Sequence, residues 1–379
     1  MNPNEINTTM ANFRGKRIGH RIAATIRGQI MMEVLTAERE RVVALMGPTG
    51  VGKSVVIERV RTLLIEHFRS EMDADPGFLP FLYLSTKTGY GADFNWKDLH
   101  ARLLNEAQEV LIRKKKTLPR LELDGQLLTT TRGLVTDELG RAFESVVKNR
   151  RVRIVFFDEA SAMIDQAVNK NAVRQFNILK SHAVNLGVVI VLIGAYDLMG
   201  LNAGNGQLIR RCEVIHMPRY GFDRVTLPSQ ENKSADEDEF VRAIESLSAV
   251  APVQIEEDAV ADERFVLAKS VGCVGIFRDW LDRACVKALA ENKGVLTKVI
   301  FEAAALPNWK VRQLTEEAIL GEKALTDCGE QELAKILGVE SIRTPHEQGD
   351  ELPAKRSGKK SGRVGQRGPS RDRVGGLHA

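Results

Sequence analysis

The stretch VVALMGPTGVGKSVVIERVRTLL, residues 42–64, constrains the fold more than any other part of the chain. Five apolar residues lead into a glycine-rich turn, and a helical pattern follows. Strand, glycine turn and helix in that order predict a parallel α/β unit with a right-handed crossover. Gly47-Pro48-Thr49-Gly50-Val51-Gly52-Lys53-Ser54 fits G-x-x-x-x-G-K-[ST] at every fixed position. Glycines let backbone N–H groups curl around phosphates, and the helix N-terminus adds the positive end of its dipole. Lys53 is placed to reach the β/γ oxygens and Ser54 to ligate Mg²⁺ through its hydroxyl. A glycine turn without a ligand is the competing reading, and the strand and helix on either side count against it. The expected ligand is a nucleoside triphosphate, ATP, with Mg²⁺.

Four more short apolar runs follow the first: FLYLS (81–85), RIVFF (153–157), VVIVLI (188–193) and EVIHM (213–217). Continuous apolarity marks strands covered on both faces. Helical patterns lie between the runs, at 54–69, 96–115, 136–148 and 172–185. This alternation predicts a parallel five-stranded α/β sheet. No internal repeat is present. Residues 219–240 lose periodicity and collect Pro, Ser, Asn and acids, as a linker does. Beyond them the pattern turns helical, with RDWLDRACVKALAENKG (278–294) ending on a glycine cap.

The last segment differs in charge. Eight basic residues against one acid give residues 354–379 a net +7. With +4 for the whole chain, residues 1–353 carry −3. Rich in Gly, Ser and Arg, the tail has too little apolar surface to offset ordering and is expected to be disordered. It suits an acidic partner such as nucleic acid, or it serves only to solubilise. Elsewhere composition is ordinary, 43% hydrophobic and 27% charged. No apolar run reaches the length of a bilayer span, and the first residues lack the basic-then-apolar order of a signal peptide. The four cysteines show no CxxC pair and no histidine at metal-ligand spacing, so they read as reduced thiols in a cytoplasmic protein.

Arg153–Glu159, RIVFFDE, supplies the second chemical motif. Asp158 emerges at the carboxyl end of a buried strand, where α/β sheets place ligands. It is expected to hold Mg²⁺, with Glu159 polarising the attacking water as general base. Two carboxylates after a strand also suit a helix N-cap, with Ser161 helping, but an upstream phosphate loop makes that the minor reading. Arg210 and Arg211 stand directly before the fifth run. Guanidinium groups are costly to bury unpaired, so they face water, a carboxylate or a phosphate. At a domain edge away from its own phosphate loop, the pair suits reaching a neighbouring subunit's γ-phosphate. A local salt bridge with Glu213 or Asp197 is the alternative.

With these motifs in this order, the chain resembles the AAA+ ATPases. More narrowly, IVFFDEAS (154–161), VVIVLIGAYDL (188–198), GQLIRRCEVIHMPRY (206–220) and GCVGIFRDWLDRACVKAL (272–289) resemble transposon target-site regulators of the TnsC/TniB type, relatives of the phage Mu target-DNA activator. The phosphate loop and RIVFFDE specify only an ATPase; GAYDL and RRCEVIHMPRY carry the narrower likeness. The expected organisation is an N-terminal extension (1–20), a P-loop AAA+ domain (21–220), a linker (221–238), a small all-helical lid (239–340) and the disordered basic tail (341–379).

The resemblance implies an ATP-dependent homo-oligomer, a ring or helical filament, that wraps double-stranded target DNA and connects a target selector to a transposase. Hydrolysis is expected to be slow and dependent on assembly. Lys53, Ser54, Asp158 and Glu159 keep the roles argued above, Arg210 and Arg211 match the arginine-finger segment, and Arg278 matches the second sensor. The polar first sensor usual after the fourth strand falls at Ala195, leaving Tyr196 or Asp197 to substitute. For DNA, the resemblance points to Lys87 and Lys97 as backbone contacts and to Arg132, while RKKK (113–116) reads as a solvated helix end. An initiator- or clamp-loader-like ATPase, or a signalling NTPase that does not touch DNA, are the other classes compatible with the motifs.

Overall fold

A computed structural model describes residues 2–36, 41–86, 94–109, 134–165, 171–201, 212–221, 235–291 and 294–339. Two helices, α1 (Pro3–Gly15) and α2 (Arg21–Thr36), precede strand β1 (Val42–Met46). Helices α3 (Lys53–His67) and α4 (Arg69–Ala74) lead to β2 (Phe81–Ser85). Then come α5 (Trp96–Glu106), α6 (Leu134–Asn149), β3 (Ile154–Asp158), α7 (Ala162–Asp165), α8 (Asn171–Leu186) and β4 (Val189–Gly194). A 3₁₀ turn (Tyr196–Leu201) separates β4 from β5 (Cys212–His216). The lid comprises α9 (Ala235–Ser248), β6 (Gln254–Ile255), α10 (Glu263–Lys269), α11 (Val274–Ala290), β7 (Val295–Leu296), α12 (Lys298–Ala303) and α13 (Asn308–Leu325).

All five runs expected to be strands form one parallel sheet in the order β2-β3-β4-β1-β5. Their continuous apolarity has a direct cause, because successive side chains enter two different cores. Val43, Leu45, Phe156, Val191 and Ile193 pack on one face with α2 and α3. Val42, Ala44, Met46, Val155, Phe157, Ile190 and Leu192 pack on the other with α5, α6 and α8. Strand β1 lies between β4 and the edge strand β5, so the turn after it opens on the carboxyl edge one strand in from the side of the sheet.

The first core does not end at the sheet. It continues through Tyr220 and Phe240 into the lid, where Trp280 stacks on Phe301 with ring centroids 4.1 Å apart. The Trp280 indole also donates to the Phe301 carbonyl at 2.7 Å, so its one polar group is satisfied in the core. Residues 3–15 join this core as a helix: Ile6, Met10 and Phe13 are buried. Arg14 pairs with Asp282 of α11 through two hydrogen bonds, 2.8 and 3.1 Å. An Asn2–Glu5 capping box with Pro3 in the first turn starts that helix. Residues 1–326 form one compact unit.

Two local outcomes differ from the sequence expectations. The lid is helical except for a two-residue parallel bridge, Gln254–Ile255 with Val295–Leu296, which pairs backbone groups of two connecting segments. Helix α5 closes at Glu106: Gln108 takes a positive φ of 57° and the Glu109 amide returns to the Leu104 carbonyl at 2.9 Å. The run at 113–116 lies outside the described residues, as does the basic tail. A second unit, residues 327–379, contributes α14 (Glu330–Leu337). All four cysteines are free thiols, with Cys273 and Cys285 buried.

Candidate active site

Residues 47–54 wrap from β1 into α3, and the loop's shape depends on its glycines. Gly50 has φ +80°, and a Cβ there would come within 2.6 Å of the Ile276 side chain. From the lid side, a Cβ on Gly275 would meet the Gly50 carbonyl at 2.4 Å. The first turn of lid helix α11 therefore rests directly on the phosphate loop. Gly52 caps α3 without a side chain, leaving first-turn N–H groups open to an anion.

Lys53 folds back on the loop and donates to the carbonyls of Gly47 (2.8 Å) and Pro48 (2.9 Å). Burial pushes its ammonium down to about 8, against the raising influence of Cys273, Asp158 and Asp197. Asp158, 6% exposed, ends β3 beside it. One carboxylate oxygen of Asp158 accepts from the Glu159 amide at 2.9 Å, and the other from the Tyr83 hydroxyl at 2.7 Å. Burial and that contact raise the Tyr83 pKa, so the phenol stays a donor.

Glu159 adopts φ 53°, in the left-handed region that a non-glycine residue enters at a cost of about 1–3 kcal/mol. Its carboxylate accepts from Ser85 Oγ at 3.0 Å, and Thr86 Oγ1 donates to the carbonyls of Asp158 and Glu159. The helix-cap reading of the two carboxylates does not describe this geometry. Ser161 instead donates to Asp197 at 2.6 Å. Of the two substitutes for the first sensor, Asp197 lines the site beside Ala195. Tyr196 is buried, with its hydroxyl 2.9 Å from His216 Nε2.

Lys53, Ser54, Asp158, Glu159, Asp197 and Arg278 line one cavity of about 780 Å³. A hydroxyl and a carboxylate facing it are the hard oxygen donors that suit Mg²⁺, the remainder of whose shell would be water and phosphate oxygens. Among the described residues no group of three or more His, Cys, Asp or Glu could hold a metal by itself. Arg278 donates to the Arg14 backbone carbonyl, so α1 holds this side chain at the cavity's edge. A second cavity, about 710 Å³, shares Val55 as a lining residue with the first and is also lined by Ile18, Gly19, His20 and Arg242 among others.

Lys97 is exposed in the first turn of α5. Lys87, Arg132, Arg210 and Arg211 lie outside the described residues. The strand that follows the two arginines, β5, is an edge strand, and Cys212 pairs with Val42 at the end of β1 away from the phosphate loop. Sequence reading missed Tyr83, Ser85, Thr86 and Arg14. The polar ends of FLYLST were the one available signal, since a hydroxyl on a buried strand needs a partner.

Comparison with known proteins agrees with this architecture. Residues 36–201 match the family model of an AAA domain. No curated protein matches the chain. Among solved structures, the ORC2 protein of Aeropyrum pernix, in ADPNP–ADP complexes, is 14% identical with a TM-score of 0.43, over 82% of this chain and 69% of that one. The ORC1 protein of the same organism, in complex with DNA, is 14% identical with a TM-score of 0.47, over 76% and 65%. A Walker-type ATPase of Pyrococcus abyssi is 15% identical with a TM-score of 0.42, over 86% and 79%. The chain carries the P-loop AAA+ ATPase fold. No described helix is long and apolar enough to cross a membrane.

Proposed function

We propose that this chain is an ATP-dependent, DNA-binding regulator of transposition that assembles on double-stranded target DNA and couples a target selector to a transposase. The observation that carries the ATPase half is the single cavity collecting Lys53, Ser54, Asp158, Glu159 and Arg278. What supports the transposition half is the sequence likeness in GAYDL and RRCEVIHMPRY, together with an exposed Lys97 at the start of α5.

In this reading the α3 N–H groups and Lys53 bind the phosphates, Lys53 exchanging two carbonyls for phosphate oxygens. Ser54 and Asp158 would hold Mg²⁺, which would supply charge neutralisation at the phosphates. Glu159 takes the proton of the attacking water, and the Ser85 hydroxyl fixes that carboxylate until water and phosphate are in place. Asp197, anchored by Ser161, orients the water from the β4 side. Arg278 leaves the Arg14 carbonyl for the γ-phosphate, and Arg210 or Arg211 completes the site from a neighbouring subunit. The nucleoside lies toward the second cavity, past Val55. Lys87, Lys97 and Arg132 contact the DNA backbone without reading bases, which suits a protein that coats any sequence.

Sedimentation with and without duplex DNA, in a non-hydrolysable ATP analogue, tests the whole proposal. Assemblies whose size grows with DNA length are expected. A nucleotide-bound monomer indifferent to DNA would leave a signalling NTPase, and a small closed oligomer of fixed size on DNA would favour an initiator-like ATPase.

A further inference from the structure

Strand β2 is the outer neighbour of β3, and its register pairs Tyr83 with Phe156 and Ser85 with Asp158. Because side chains alternate along parallel strands, Tyr83, Ser85, Phe156 and Asp158 share one sheet face. That is the face covered by α3, the helix that begins at Lys53. Tyr83 stands one pleat behind Asp158 and spans the gap with its full length, its hydroxyl donating to the carboxylate at 2.7 Å. A serine or threonine at this place would be too short, and a phenylalanine would bring no donor.

The other partner of Tyr83 comes from α3. The Arg61 guanidinium carbon lies 4.1 Å from the Tyr83 ring centroid and 5.7 Å from that of Phe81. The Nε of Arg61 is buried and has no hydrogen-bond partner. A buried guanidinium N–H left unmade is costly, so the ring face is what retains Arg61 there. A cation over the ring draws charge from the phenol and strengthens its hydroxyl as a donor.

We infer that Tyr83 is a positioning residue for the metal-binding carboxylate of Asp158, steadied in turn by Arg61. This rests on the reading of the cavity as a Mg²⁺–nucleotide site. A carboxylate offers about four acceptor positions. The Tyr83 hydroxyl fills one on one oxygen and the Glu159 amide fills one on the other, so the plane of the group is fixed. One position on each oxygen remains for the cavity. Removing the hydroxyl frees the carboxylate to rotate about its terminal bond, and metal affinity falls while the phosphate loop is unchanged.

The experiment is a titration of the full chain with a fluorescent, non-hydrolysable ATP analogue, in EDTA and over a series of Mg²⁺ concentrations. Tyr83→Phe is expected to raise the half-saturating Mg²⁺ concentration about tenfold, the size of one lost charge-assisted hydrogen bond. Affinity in EDTA should stay within about twofold, and the ATPase rate should recover as Mg²⁺ is raised to saturation. Arg61→Met, which keeps the hydroxyl, should shift the Mg²⁺ requirement in the same direction by about threefold. An unchanged Mg²⁺ requirement in Tyr83→Phe, or a loss of affinity in EDTA as large as that in Mg²⁺, would overturn the positioning role. An unsubstituted protein that binds no analogue under either condition would overturn the nucleotide reading itself, and this inference with it.

Discussion

His100 makes stability depend on acidity in a way that can be calculated. It lies on α5, 5% exposed, and neither ring nitrogen has a hydrogen-bond partner. Its ring stacks on Phe143 at 5.9 Å and meets the edge of His182 at 5.5 Å, in an apolar pocket lined by Leu103, Leu179 and Ile190. Burial lowers its pKa from 6.5 to about 4, the charge of His182 adds to that, and Asp137 opposes it. The unfolded chain therefore takes up a proton as pH falls through 6.5, and the folded chain does so only near 4. Stability is lost across that window at up to ~1.4 kcal/mol per pH unit, which amounts to about 2 kcal/mol by pH 5. His100→Leu fills the same pocket without titrating. Urea unfolding followed by circular dichroism at pH 7.5 and pH 5 should show the variant gaining about 2 kcal/mol on the parent between the two conditions. His20, which burial also pushes to about 4, is present in both proteins and cancels. His182, also lowered by burial, packs on His100, so both proteins carry His182→Leu as well. A difference between the two proteins that does not change with pH would mean that His100 finds a partner or is already charged, and would refute the reasoning.

Three further outcomes test the site. Lys53→Ala should abolish nucleotide-dependent DNA binding in a filter assay, because no other described lysine or arginine donates into the phosphate loop; assembly in ATP equal to the parent's would remove Lys53 from its role. Glu159→Gln should bind ATP and assemble but lose hydrolysis by about 10²-fold or more, the scale of a general base; turnover near the parent rate would assign the base elsewhere. Arg210→Ala with Arg211→Ala should leave monomer ATP affinity within about twofold and weaken hydrolysis, and mixing with Glu159→Gln subunits should recover activity at hybrid interfaces. Co-assembled mixtures that stay inactive would make the arginines structural.

The strands were legible because burial on both faces leaves little room for polar residues. VVALM and VVIVLI could be nothing else once the helices between them were seen. Strand order is not written in the same way: β4 comes to lie beside β1 through pairings such as Val43 with Val191, about which neither run says anything alone. The phosphate loop, Asp158 and Glu159 were legible because local chemistry demands fixed spacing. Arg278 lines the cavity, and its present partner, the Arg14 carbonyl, is 264 residues away in sequence. Contacts of that span leave no periodicity, so α1 read as an extension although Ile6, Met10 and Phe13 are core residues. Tyr196 and Asp197 take different directions after β4, Tyr196 to His216 and Asp197 to the cavity, and one sequence could not supply that difference.

The charges of the site are held apart in a manner that bears on how a ligand enters. Among the described residues no ion pair joins Lys53 to Asp158 or Glu159, although all three line one cavity. Lys53 is satisfied by two neutral carbonyls, Asp158 by a phenol and an amide, and Glu159 by a serine hydroxyl. Had the cation and the carboxylates closed on one another, an incoming triphosphate would have to break a partly buried ion pair, at a cost of about 3–5 kcal/mol. On the proposed reading it exchanges hydrogen bonds between an ion and a neutral group for contacts between two ions, with no ion pair to break first. Strand β2 is what keeps the two sides separate, because it holds both carboxylates from behind, Tyr83 on one and Ser85 on the other. In that reading Lys53 and Arg278 change partners as the ligand enters. The carboxylate of Asp158, held by Tyr83 and the Glu159 amide before the ligand arrives, needs no reorganisation as charge develops on the phosphates, which is the condition for stabilising a transition state.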